Sequence, residues 1–254
     1  MFGLNEKIAV VTGGGSGIGK AVALLFAKQR AIVHIVDLKK ENCEATLQEI
    51  NAMGATAFMH VCDVTVQHEV TEVFNAIGAI DVLVNSAGIS HIGNLESTTE
   101  NDLDRLYNVN IKGVYNCMQA AISIMKKSKN GVILNLASIA GSLGLADRFA
   151  YSMTKGAVYA MTLSVARDYI HDGIRCNCVS PARVHTPFVD DFIKRNYPGQ
   201  EDEMFRKLSK SQPIGRMAKP EEIASLILFL CSEEAGFITG CDYPIDGGFI
   251  KLNN

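Results

Sequence analysis

The sequence predicts an α/β protein: a doubly wound parallel sheet of about seven strands with helices on both faces, a single domain over residues 1–254. Three observations predict it. Short β-branched runs alternate with longer segments of helical period along most of the chain. Runs such as Ile8-Ala9-Val10-Val11 and Val132-Ile133-Leu134 show no polar alternation, as strands covered on both faces require. Each parallel crossover needs a helix packed on a sheet face, so repeated strand-helix-strand order places helices on both sides.

In order, the pattern predicts a strand at Ile8–Thr12 and a helix at Gly17–Arg30, then Ile32–Asp37 with Lys40–Met53, and Ala55–Cys62 with Gln67–Ile77. Strand Val82–Asn85 leads into a long helix over about 100–127, strand Val132–Leu136 into a helix from Phe149 to His171, and strand Ile174–Val179 follows. The rhythm then breaks. Pro187, Pro198, Gly199, Pro213 and Gly215 punctuate a segment too long for an ordinary connection, which predicts a substrate lid at about 183–218 with short helices of its own. A helix at Glu221–Cys231 and a strand at Cys241–Ile245 close the pattern.

Composition narrows the function classes. Apolar residues at 48% and charged residues at 20% are the balance of a globular protein rather than a disordered one. A net charge of −3 with scattered Lys and Arg supplies no basic field, so neither nucleic acid nor an anionic membrane is an expected partner. Without a basic segment and apolar leader at the start, or a membrane-length apolar run later, the expected location is cytoplasmic. The seven cysteines form no C-x-x-C pair and read as reduced, buried thiols. Cys176 and Cys178 share a strand face, but no nearby His completes a metal site, and none is expected.

Thr12-Gly13-Gly14-Gly15-Ser16-Gly17-Ile18-Gly19 directly follows the first strand and opens the first helix. Glycine at 13, 17 and 19 permits a tight turn and close approach of a pyrophosphate to backbone N–H groups at the helix N-terminus. Gly13, Ser16, Gly17, Ile18 and Gly19 are therefore candidate contacts for a dinucleotide. Asp37 ends the second strand, where a carboxylate can accept hydrogen bonds from the adenosine ribose and repel a 2′-phosphate. It points to NAD rather than NADP, with Lys39 and Lys40 as the competing signal. Asp63, followed by Val64, ends the third strand, and either faces the ligand at the same sheet edge or caps the next helix.

Asn85-Ser86-Ala87-Gly88 brings small residues to the sheet edge, Ser138 follows the fifth strand, and Tyr151 and Lys155 stand four apart on one helix face. A phenol with a pKa of about 10 exchanges protons poorly at neutral pH, and a cation within about 4–6 Å favours the phenolate. Taken together these residues resemble the classical short-chain dehydrogenase/reductase family, whose Rossmann-type fold the whole chain would share. They match T-G-x-x-x-G-x-G at Thr12–Gly19, the asparagine-alanine-glycine element at Asn85–Gly88, an asparagine at Asn110, the serine at Ser138, Y-x-x-x-K at Tyr151–Lys155, P-x-x-x-x-T at Pro181–Thr186, and Asp246-Gly247-Gly248.

The resemblance implies that Tyr151 is general acid/base, that Lys155 lowers its pKa and binds the nicotinamide ribose, and that Ser138 orients the substrate oxygen. It implies that Asn110 holds a water leading to solvent. Asn85, Ala87 and Gly88 would line the cofactor cleft, with Pro181, Val184 and Thr186 at the nicotinamide end. Ser86 departs from the family's second asparagine, and Ala182-Arg183 from its usual glycine. Homotetramers built on the long helices are common in such a family.

Near the predicted reaction centre lie Ser90, His91, Arg148, Arg183 and His185. Arginine's planar fork suits a carboxylate, so a polyhydroxylated or anionic small molecule, a sugar, sugar acid or small hydroxy acid oxidised with NAD, is expected over a steroid or long acyl chain. Each of these residues reads equally as solvated surface. Phe188, Phe192, Tyr197 and Phe205 either close the lid over substrate or form its own small core. The competing readings are an NADPH-dependent 3-oxoacyl-carrier-protein reductase, which shares nearly every motif, and a non-catalytic dinucleotide-binding regulator, which would predict a broken catalytic set.

Overall fold

The computed structural model describes residues 2–252, the side chains of Phe188 and Asn196 lying outside that description. Seven strands, β1 (Ile8–Thr12), β2 (Ile32–Asp37), β3 (Ala57–Val61), β4 (Val82–Asn85), β5 (Gly131–Leu136), β6 (Ile174–Pro181) and β7 (Asp242–Ile245), form one sheet in the order β3-β2-β1-β4-β5-β6-β7. Every pair is parallel. This is the Rossmann-type doubly wound sheet the sequence predicts.

Two apolar cores follow from alternation within the strands. Ala9 and Val11 of β1 point to one side, where α1 (Gly17–Lys28) packs on the late helix over 220–231 through Phe26, Ile223 and Ile227. Val10 and Leu83 point to the other, against Val70 and Phe74 of α3 (Gln67–Ile77) and Met125 of a helix over 113–128. On the α1 side lies α2 (Lys40–Ala52), which contacts α1, β2 and β3. The apolar run Ile223–Leu230 thus completes the core of the chain itself.

The helix expected over about 100–127 is three pieces. α4 (Glu100–Leu106) starts from a capping box in which the Thr99 side chain and Asp102 satisfy each other's backbone N–H groups. A π-helical turn, Tyr107–Lys112, then interrupts the ladder before α5 (Gly113–Ser128). The interruption is invisible to a 3.6-residue period, because its extra residue per turn shifts the register locally. It carries Asn110, which is 1% exposed.

α6 (Phe149–Asp168) ends three residues before the expected His171 and passes into a 3₁₀ turn at Ile170–Asp172. Its inward stripe, Ala150, Thr154, Val158, Thr162 and Ala166, has one residue every fourth position, small or β-branched so that the helix lies close to the sheet.

After β6 the chain leaves the sheet as expected. α7 (Pro187–Asn196) and α8 (Glu201–Lys210) form the excursion, and its two ends are clipped together where His185 N–H donates to Ala218 and Ala218 N–H to Arg183. α9 (Pro220–Cys231) and the short α10 (Phe249–Leu252) complete the chain.

Of the seven cysteines six are buried, Cys241 is intermediate, and all are free thiols. Burial pushes Cys43 and Cys62 up to about 11. No described helix is long and apolar enough to cross a membrane, and the described residues contain no group of three or more His, Cys, Asp or Glu placed to hold a metal.

Candidate active site

The chain runs outward from β1 to β3, then returns to place β4 on the other side of β1, so the strand order reverses between β1 and β4. At such a switch point the carboxyl ends of the strands leave a crevice for ligand. Here Thr12 and Asn85 stand opposite each other. The Thr12 hydroxyl accepts hydrogen bonds from the N–H groups of Ser86 and Ala87, both 3.2 Å, tying the glycine loop to the β4 edge. Gly13 is required twice over: its φ is +63°, and a Cβ there would stand 2.8 Å from the Ala87 nitrogen. A Cβ on Gly19 would collide with the Gly13 carbonyl oxygen.

This cradle fits a dinucleotide. Ser16 is the N-cap residue of α1, yet its side chain makes no capping bond, so the helix start is left to an outside acceptor. Gly17 (φ +52°) lies across from Thr186, whose methyl would be 3.5 Å from a Cβ at that position. Ile18 packs on the core. Asp37 is held by two backbone donors, Gly15 N–H to Oδ2 at 3.0 Å and Lys39 N–H to Oδ1 at 3.1 Å, which fix its carboxylate at the tip of β2. Asn85 donates through Nδ2 to Asn135 Oδ1 at 2.8 Å, while its own Oδ1 is buried with no partner among the described residues. Such a stranded acceptor at the crevice suits a ligand donor.

Asp63 does not cap the next helix. It accepts the Thr65 N–H at 2.9 Å, and α3 begins later with Val66 at its N-cap. Val64 is buried; its carbonyl accepts from Asn116 and its side chain packs against Gly113.

Behind the crevice the residues expected to be catalytic are gathered. Asn110 clamps Ile89 in both directions, Oδ1 accepting its N–H and Nδ2 donating to its carbonyl, each at 2.9 Å, and also donates to Thr154 Oγ1 at 3.0 Å. Its side-chain amide is thereby committed to holding the 86–90 loop against α6. A Cβ at Gly88 would lie 3.3 Å from Asn110 Oδ1, a tight contact, and 3.7 Å from Lys155 Nζ, an ordinary one, so the chain passes close to both. The Ser138 hydroxyl, 9% exposed, donates to the Pro181 carbonyl at 3.5 Å and hydrogen-bonds the Tyr151 phenol.

Tyr151 and Lys155 share a face of α6, with Nζ 5.8 Å from the ring centroid. Burial pushes the phenol above its ordinary value, while the bond to Ser138 and the charge of Arg148 pull it down. Lys155, 7% exposed, donates to the Leu136 carbonyl at 2.6 Å, and burial lowers its pKa to about 8. Two cations thus bear on the phenol, Lys155 over its ring and Arg148, whose charge adds to the downward pull.

The remaining candidates divide. Arg148 is half-buried and its charge is felt by Tyr151 and Tyr197, while the pKa of Arg183 is pulled down by burial first and by the charge of Arg148 second. Val184 is buried and bridges Ala218. His91 is employed differently. Its Nδ1 faces Asp102 at 3.6 Å and its buried Nε2 lies over Gly93, so it fastens the loop to α4 rather than reaching the phenol. His185 pairs with Asp190 at 2.8 Å inside the excursion and packs edge-on to Phe205. Phe192 meets Tyr197 edge-on, and Phe188 lies outside the described side chains.

Two contributors escaped sequence reasoning. Asn135 bridges Asn85 and Thr162 inside β5, and a polar residue within Val-Ile-Leu-Asn-Leu was the available signal. Ser211, which accepts from Arg183 Nε at 3.0 Å, carried no signal at all.

A glycine loop at the switch point with a buried serine and lysine and a half-buried tyrosine beside it defines a dinucleotide-dependent oxidoreductase. Comparison with known proteins makes this specific. A family model described as enoyl-(acyl carrier protein) reductase matches residues 13–250. A 3-oxoacyl-[acyl-carrier-protein] reductase of Thermotoga maritima is 37% identical over 252 residues, 97% of this chain and 99% of that protein. The L-sorbose reductase of Gluconobacter frateurii, solved with NADPH and L-sorbose, superposes with a TM-score of 0.93 at 27% identity, covering 99% of each chain. An NAD+-bound xylitol dehydrogenase gives 0.90 at 29% identity, over 96% of this chain and 99% of that one. The chain belongs to the short-chain dehydrogenase/reductase family.

Proposed function

We propose that the chain is an NAD-dependent dehydrogenase of a small hydroxylated acid, a sugar acid or a hydroxy acid. The observation that carries this reading is the half-buried Arg148 guanidinium beside the Tyr151 phenol, with no ion-pair partner among the described residues. The neighbouring Asp147 carboxylate acts on it but closes no salt bridge. Arg175, buried to a similar degree, shows what a structural arginine does here, since its Nη groups donate to the carbonyls of Ile238, Leu230 and Ser232. Arg148 reaches only the carbonyl of Asp147, at 3.1 Å. A desolvated cation with unused donors beside the reaction centre suits a carboxylate on the substrate.

Tyr151 as phenolate takes the proton of the substrate hydroxyl while the Ser138 hydroxyl holds the same oxygen. The hydroxyl-bearing carbon becomes a carbonyl as its hydrogen departs with both bonding electrons, so no charge accumulates on carbon. Bound in the crevice, the nicotinamide would supply the hydride acceptor, or the donor in reduction. Lys155 holds positive charge beneath the site, and Asn110 keeps the 86–90 loop in register with α6. The excursion over 183–218 serves as a lid that excludes water. A homotetramer is supported by apolar side chains left exposed on α5 and α6, Tyr115, Phe149, Met153 and Tyr159 among them.

The cofactor assignment rests on Asp37. NADH formation should exceed NADPH formation with any alcohol the enzyme accepts, and Asp37→Ser should shift the ratio toward NADP by about 100-fold, the scale of removing a charge clash at a phosphate site. Wild-type preference for NADP would overturn it. The substrate class is tested by a panel of aldonic acids, 2-keto-3-deoxy acids, free sugars and 3-hydroxybutyrate, followed by NADH formation. The bacterial reductase relative favours a second reading, an NADPH-dependent 3-oxoacyl-carrier-protein reductase. Activity on acyl thioesters with NADPH, and none on hydroxylated acids, would establish that reading instead.

A further inference from the structure

Arg148 is not alone. Arg183 stands on a different element, the segment leaving β6, two residues past the proline whose carbonyl accepts from Ser138. It is half-buried, and its Nε donates to Ser211 Oγ at 3.0 Å. That hydroxyl is itself fixed, donating to the Leu208 carbonyl at 2.6 Å and accepting from Gln212 Nε2 at 3.0 Å. The Ser211 anchor orients the guanidinium and leaves both Nη groups without an acceptor among the described residues. Gln212, 3% exposed, adds a buried Oε1 that is also unpartnered. Neither arginine closes a salt bridge among the described residues, and Arg183 lies within the field of Arg148.

Two like charges partly out of water, one within the other's field, destabilise the empty site, and each keeps donors without an acceptor among the described residues. An arrangement of this kind is neutralised by a ligand that brings two anionic groups. We infer that Arg148 and Arg183 form a two-point clamp for a substrate carrying two carboxylates, the reacting hydroxyl lying between them at Tyr151 and Ser138. This deepens, and rests on, the proposed oxidation of a hydroxylated acid. Arg148 holds the carboxylate nearer the phenol, and Arg183, braced by the lid residue Ser211, holds the second. Because Ser211 ends α8, a second carboxylate on Arg183 also ties substrate binding to the seating of the lid.

The test separates binding from turnover. Thermal-shift titration of the NADH-loaded chain with succinate, glutarate and adipate against butyrate should show at least one diacid binding about 10-fold or more tighter than the monoacid, the scale of hydrogen bonds to a charged group. Arg183→Gln should remove that preference, and Arg183→Lys, which keeps the charge but not the fork, should retain part of it. A wild type with no diacid preference, or an Arg183→Gln variant that keeps it, overturns the clamp. So does an Arg183→Gln variant whose NADH affinity falls as much as its diacid affinity, since the guanidinium would then serve the cofactor phosphates. Diacid binding intact without oxidation of any hydroxy acid would leave the clamp standing and sink the dehydrogenase reading. Turnover of hydroxy monoacids without diacid binding would do the reverse.

Discussion

Tyr151→Phe is expected to lower kcat by about 10³-fold with little change in the binding of cofactor, because it removes the only atom that exchanges the proton while keeping the ring and its packing. The size follows from what the phenol does. In the proposed chemistry the substrate oxygen sits between the phenol and the Ser138 hydroxyl, of which the phenol ionises. Steady-state rates with the best panel substrate, beside a direct titration of NADH fluorescence, check both halves. A variant that keeps full turnover would remove Tyr151 from the chemistry and revive the reading of a non-catalytic dinucleotide binder.

The second large effect concerns charge. Burial pushes the phenol up from its ordinary value and pulls Lys155 down to about 8, so the pair works against its own solvation. The signs decide the pH profile. Oxidation needs the phenolate, whose fraction grows as pH rises. It also needs the Lys155 ammonium, which is complete well below pH 8 and is lost as pH rises through that value. The product is a bell with a falling limb on the alkaline side, its two apparent pKa values belonging to the coupled site. Lys155→Met should cost about 10²-fold or more in kcat/KM for oxidation and abolish the falling limb. Lys155→Arg, which stays charged throughout, should recover part of the rate and also lack that limb. A falling limb that survives in both variants belongs to another group.

Strand and helix order was legible because buried parallel strands leave an unmistakable mark, four consecutive apolar residues in Ile8-Ala9-Val10-Val11 and three in Val82-Leu83-Val84, with amphipathic stretches between them. α3 and β4 have the boundaries the pattern predicts. β3 begins later than expected, at Ala57, because alternation in Ala55–Cys62 extends into residues that merely approach the edge of the sheet. The π turn at Tyr107–Lys112 has no periodic signature, and it is this turn that carries Asn110. The glycine loop and the Tyr-Lys spacing could be recognised because their chemistry demands residue types at fixed separations.

What could not be read was direction. His91, Arg148, Arg183 and His185 look alike in the sequence, yet two are spent on Asp102 and Asp190 while the arginines keep their forks free. Nor could sequence reveal that Arg148, three residues before the tyrosine, acts on the phenol while Lys155 donates to a strand carbonyl.

That placement of Arg148 is the centre of the account, and one comparison tests it most directly: kcat/KM for the best hydroxy acid against its primary amide, in wild type and in Arg148→Gln. The carboxylate should be preferred by wild type by about 10² or more, and the variant should lose most of that preference, because a charge-assisted bidentate contact disappears with the guanidinium. If acid and amide react equally in the wild type, or if the preference survives in Arg148→Gln, the guanidinium beside Tyr151 does not read the substrate's charge and the assignment to hydroxylated acids fails.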